Sequence, residues 1–148
     1  MLNVLIYALP NRNSGGYSVV LNLYEDIKKH GEFYPDIHWY FIVGIDGFES
    51  TENITVFNET WALRTYGHRL YFNWIKVKAF CRKYDIKAVI TLNMGVNGLE
   101  IPNIISLHNV LPLYHCGNEV FDRKLDMIKQ FVINHMIVKS LKRASYVI

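Results

Sequence analysis

The 148-residue chain is the length of one domain, and its 51% hydrophobic and 20% charged content fits a globular α/β protein and excludes disorder. Sixteen basic and 13 acidic residues leave a net charge of +3, short of the clustered basic surface of a nucleic-acid binder. Two cysteines, Cys81 and Cys116, make no disulfide framework, and no run approaches the ~20 apolar residues of a membrane span.

Asn3-Val4-Leu5-Ile6-Tyr7-Ala8 predicts a first strand, apolar on both faces like a central strand of a parallel sheet. Pro10, Asn11, Arg12, Asn13 and Ser14 then read as turn formers, and Gly15-Gly16 as a hinge. A helix is expected from there to about His30, with Val20, Leu23, Tyr24 and Ile27 inward and Glu25, Asp26, Lys28 and Lys29 in water. Gly31 stops it.

Residues 37–43 form a second strand and residues 54–57 a short third, while 60–65 fits neither period. Leu70, Trp74, Val77, Cys81 and Tyr84 recur at helical spacing, which predicts a helix over 66–84 with Cys81 in the core. Strands follow at 87–91 and 103–107, each leading into a long loop, 92–100 and 108–118. A helix over 119–142 comes next, and a sixth strand opens at 144–148, where the chain looks cut. This alternation gives an α/β fold, a Rossmann-like doubly wound parallel sheet in a three-layer α/β/α arrangement. A reversal of strand order between strands one and four would gather the loops at 9–17, 92–100 and 108–118 into one crevice.

The Gly15-Gly16 pair lets backbone come close to a phosphate or sugar, with the amides of Tyr17 and Ser18 facing it. The residues alone equally allow a tight βα turn with no ligand. Neither G-x-G-x-x-G nor the Gly-Lys-Ser/Thr of a P-loop is present. His108, just past the fifth strand, can hold or move a proton or bind a sugar hydroxyl, with Asn109 beside it. On the residues alone a half-buried histidine satisfied by backbone is favoured. His115, Cys116, Cys81, His135 and His38 lack zinc-ligand spacing, so no metal is expected. Basic residues flank the apolar helix over 119–142, which suits peripheral contact with an anionic membrane or burial against a partner domain. The sequons at Asn53 and Asn58 read as chance matches, because the opening has no secretion signal and the expected location is cytoplasmic.

Three passages together resemble the N-terminal domain of retaining glycosyltransferases of family 4, which have the two-domain GT-B architecture. They are the opening strand with Gly15-Gly16 and Val19-Val20-Leu21-Asn22-Leu23, then Val89-Ile90-Thr91-Leu92-Asn93 with Ile104-Ile105-Ser106-Leu107-His108-Asn109, and last Lys142-Arg143-Ala144-Ser145-Tyr146-Val147-Ile148. The resemblance implies that residues 1–148 are a single acceptor-side domain without its C-terminal donor-binding partner. It implies sugar transfer from a nucleotide-diphosphate sugar to a glycan or lipid-linked acceptor hydroxyl, with retention, in glycan biosynthesis.

By the same resemblance His108 is the catalytic position, close to the transferred sugar, and Gly15, Gly16, Tyr17, Ser18, Asn93 and Asn109 bind substrate. No metal or other cofactor is implied, and the isolated chain is expected to be inactive. No two glutamates have seven residues between them, so the family's donor motif is missing. Thr91-Leu92-Asn93 stands where many members have a histidine-containing turn, and Ser145 where they often have Asp. A non-catalytic Rossmann-like binding domain and a GT-B sugar-nucleotide epimerase are the alternatives.

Overall fold

A computed structural model describes residues 1–11, 14–92, 96, 98–106, 131 and 135–148. Six strands form one all-parallel sheet: β1 (Leu2–Tyr7), β2 (Ile37–Val43), β3 (Ile54–Asn58), β4 (Ala88–Leu92), β5 (Asn103–Ser106) and β6 (Tyr146–Val147). Their order is β3-β2-β1-β4-β5-β6, so the fold is Rossmann-like α/β. β1 is central and pairs with both β2 and β4, with Tyr7 opposite Ile42 on one side and Thr91 on the other. The reversal of strand order expected between strands one and four is therefore present.

Both faces of β1 are apolar because each meets a different core. Ile6 and Ala8 pack with Val20, Tyr24 and Ile27 of helix α1 (Ser14–His30) and with Phe41 and Ile54. Leu5, Tyr7 and Leu9 pack with Phe72, Val77, Cys81 and Val89. Truncating a fully buried side chain such as Ile6 to Ala costs about 2–5 kcal/mol. The expected inward face of α1 matches, with Leu23 packed against the edge of the same core. The part of a three-layer arrangement that rests on residues 107–130 lies outside the described residues, as does most of the helix expected over 119–142. Residues 135–141 within it are helical.

The segment read as one regular helix is three pieces: α2 (Tyr66–Tyr71), a π-helical turn (Phe72–Lys76) and α3 (Val77–Lys83). The π turn corrects the expected face. A wider turn accommodates an extra residue, so Phe72 and Val77, five apart, both reach the core along with Asn73. Trp74, expected inside, is 55% exposed, as is Ile75. Upstream, residues that matched no period form a short 3-10 turn (Thr60–Leu63), and Thr65 then caps α2 by accepting from the His68 amide.

α3 ends in a Schellman turn: the Ile86 amide reaches the Cys81 carbonyl at 2.8 Å, and Asp85 takes a left-handed φ of 49°. Cys81 is buried in the core as expected. Burial pushes its thiol pKa up to about 11.

Candidate functional site at the switch point

Ligands in open parallel sheets settle beyond the carboxyl ends of the strands, where neighbouring connections diverge to opposite faces. Here that place is the edge where β1 and β4 end. From Tyr7 the chain runs through buried Ala8 and Leu9 into a turn closed by the Asn11 amide on the Ala8 carbonyl, 2.9 Å. Gly44, just after β2, lies so close that a Cβ there would stand 2.6 Å from the Leu9 carbonyl oxygen. The lack of a side chain at Gly44 thus allows the β2 exit to support the β1 exit.

The glycine pair is not a hinge. Gly15 and Gly16 lie in the first turn of α1, which starts at Ser14, before the point expected from sequence. Glycine is poor in helix interiors but costs less in a first turn, where the amides have not yet joined the hydrogen-bond ladder. In that turn the amides have no intrahelical partner, and those of Gly15 and Gly16 lie at the positive end of a 17-residue helix. The Ser18 amide, by contrast, is placed to bond back to the Ser14 carbonyl within the helix. A Cβ on Gly15 would meet open space, while one on Gly16 would touch the Asn11 side chain at 3.5 Å.

Asn11 is the residue that sequence reasoning passed over. It is 8% exposed, and its Nδ2 is buried without a hydrogen-bond partner among the described residues. An orphaned buried donor costs about 1–3 kcal/mol, so such a group is worth explaining. Two other buried polar atoms among the described residues lack partners, Trp39 Nε1 within β2 and Asn103 Oδ1 at the start of β5. Asn11 alone of the three sits at the carboxyl edge beside the first turn of a helix, next to Gly16. Its side chain and the α1 first turn offer several N–H donors to one acceptor-rich group, such as a phosphate or a sugar hydroxyl.

Tyr17 faces elsewhere. Its ring meets Phe48 edge-on, with centroids 6.1 Å apart, which ties α1 to the β2–β3 connection. Tyr24 strengthens that tie, donating to the Glu49 carbonyl at 2.9 Å. Ser18 is exposed on α1. On the neighbouring strands, Thr91 is fully buried and donates to the Ile104 carbonyl at 3.4 Å, and Ser106 is the last residue of β5. Asn93, His108 and Asn109, like Arg12, His115 and Cys116, lie outside the described residues. In sequence Asn93 follows β4 by one residue and His108 follows β5 by two.

Across β1 from Asn11, the Tyr7 hydroxyl donates to Asn73 Oδ1 in a buried bond. Burial raises the Tyr7 pKa well above the ordinary phenol value, against an opposing pull from Arg69, so the hydroxyl stays a donor. Among the described residues no three His, Cys, Asp or Glu side chains group to hold a metal ion. No protein-family model, curated protein or solved structure matches the chain.

Proposed function

We propose that this chain is the acceptor-side domain of a retaining GT-B glycosyltransferase. The reading rests on the orphaned Asn11 amide beside the first turn of α1, at the β1/β4 switch point. Sugar transfer from a nucleotide diphosphate requires hydrogen-bond donors where negative charge gathers on the leaving group, and positioning of an acceptor hydroxyl. Asn11, Gly15 and Gly16 supply such donors. His108 would orient the transferred sugar from the β5 exit, with Asn93 and Asn109 as further substrate contacts. The acceptor would be a glycan or lipid-linked hydroxyl, and a separate donor-binding domain would grip most of the nucleotide-sugar.

A second reading is a non-catalytic Rossmann-like binding domain. It is favoured by the helical, and not loop, conformation of Gly15 and Gly16.

Amide NMR of the chain titrated with uridine and guanosine diphosphate-sugars tests the site. Saturable shifts at the Asn11 side-chain amide and at Gly15 and Gly16 are expected, lost in Asn11→Leu while the rest of the spectrum is kept. No shift at these groups with any nucleotide-sugar overturns the assignment. Product analysis of a protein carrying both domains separates transfer from epimerisation and from binding alone.

A further inference from the structure

The charge of this chain is segregated. Residues 60–84 contain Arg64, Arg69, Lys76, Lys78, Arg82 and Lys83 and no acidic residue. That stretch carries +6, so the remainder, with 10 basic and 13 acidic residues, carries −3. The modest net charge of the whole conceals a strongly cationic element.

The π turn decides what that element shows to solvent. By admitting one extra residue it keeps Phe72, Asn73 and Val77 inward and places Trp74, Ile75 and Lys76 together on the outside. Tyr71 is 45% exposed and lies at helical spacing from Trp74 and Ile75. Lys76 Nζ stands 5.8 Å from the Tyr71 ring centroid. Lys78 and exposed Arg82 continue the same stripe at i+3 and i+7 from Ile75. Among the described residues no carboxylate pairs with Lys76, Lys78 or Arg82. The nearby Asp85 is engaged by Lys87 at 2.7 Å, and Glu100 shares with Lys78, Arg82 and Asp85 the shallow cavity beyond them.

We infer that the outer face of residues 71–82 docks on an anionic lipid bilayer, independently of the transferase reading. Exposed Trp and Tyr belong at the headgroup level, Ile75 adds apolar area below it, and the lysines and arginine meet lipid phosphates. Bases and phosphates of a nucleic acid would use the cations and Trp74 but leave Ile75 without a partner, so the bilayer is favoured. Among the described residues no helix is long and apolar enough to cross a membrane. The contact is therefore one that lies on the surface.

Co-sedimentation of the full chain with phosphatidylcholine vesicles, with and without phosphatidylglycerol, tests the inference. Binding is expected only to the anionic vesicles, with Trp74 fluorescence shifted to the blue and binding weakened as salt rises. Trp74→Ser/Ile75→Ser and Lys76→Glu/Arg82→Glu should each lower the vesicle partition constant about tenfold or more. Lys28→Glu/Lys29→Glu on α1 should change it little. Because all of these positions are exposed, unchanged circular dichroism is expected throughout. The inference is overturned by absence of binding to anionic vesicles, or by equal binding of both 74–82 variants. It is also overturned if Trp74→Ser/Ile75→Ser instead abolishes self-association or RNA binding in a chain that ignores vesicles.

Discussion

Tyr7, the last residue of β1, donates its hydroxyl hydrogen to Asn73 in the π turn, so the central strand and the irregular helix are joined by a buried polar bond between two otherwise apolar layers. Removing either partner strands the other. Tyr7→Phe and Asn73→Leu should each lower stability by about 1–3 kcal/mol in urea unfolding, whereas the double variant should lose clearly less than their sum. Strict additivity would mean that the bond contributes no coupling.

Stability should also depend on alkaline pH. Burial raises the Cys81 thiol from 9.0 to about 11, and raises the Tyr7 phenol as well. The unfolded chain therefore releases these protons first. The resulting stability is complete below about pH 9 and is lost as pH rises through about 11. Thermal unfolding followed over that range should show a falling midpoint, with a shallower fall in Cys81→Ala. An identical slope in that variant would assign the loss to other groups.

Gly44→Ala places a methyl group 2.6 Å from the Leu9 carbonyl oxygen and also against Leu63. Backbone on both sides must move, at a cost of about 1–3 kcal/mol. The displacement falls on the turn that carries Asn11, so nucleotide-sugar affinity should drop together with stability. Gly15→Ala is the informative contrast, since its Cβ meets open space and its backbone is helical. It should stabilise the chain by a few tenths of a kcal/mol, up to about 1 kcal/mol. If the two variants bind ligand alike, the close approach at Gly44 has no bearing on the site.

In a protein that carries both halves of the proposed transferase, His108→Ala should reduce turnover about 10²-fold or more, with a smaller change in KM. Steady-state kinetics with saturating donor measures this. Turnover near the parent value would remove His108 from the reaction.

Much of the fold was legible because its elements repeat with clear periods. The second strand matches at both ends, and the other five differ by a few residues, since end residues are settled by pairing that a local pattern does not contain. The switch point followed from alternation together with the content of the loops, but strand order itself became visible only in the β1–β2 and β1–β4 registers. Two misreadings have specific physical causes. A 3.6-residue period points Trp74 toward the core, but the π turn at Phe72–Lys76 uses a longer one and leaves it outside. Gly15 and Gly16 read as a hinge because they follow a run of turn formers, yet a first helical turn accommodates both. Asn11 was passed over for a similar reason. Beside Pro10 it reads as a turn former, and nothing local shows that its amide ends up buried and unpartnered.

The π turn also sets a rule for how this chain can change. Losing one residue from 74–76 would leave Phe72 and Val77 four apart, the spacing at which a regular α-helix keeps both inward, so the core face would survive the loss. A further insertion has no such spacing to fall back on and would turn the upstream face, Asn73 included, away from Val77 and Cys81. The stretch therefore tolerates shortening better than lengthening, the opposite of an ordinary surface loop, which takes insertions readily.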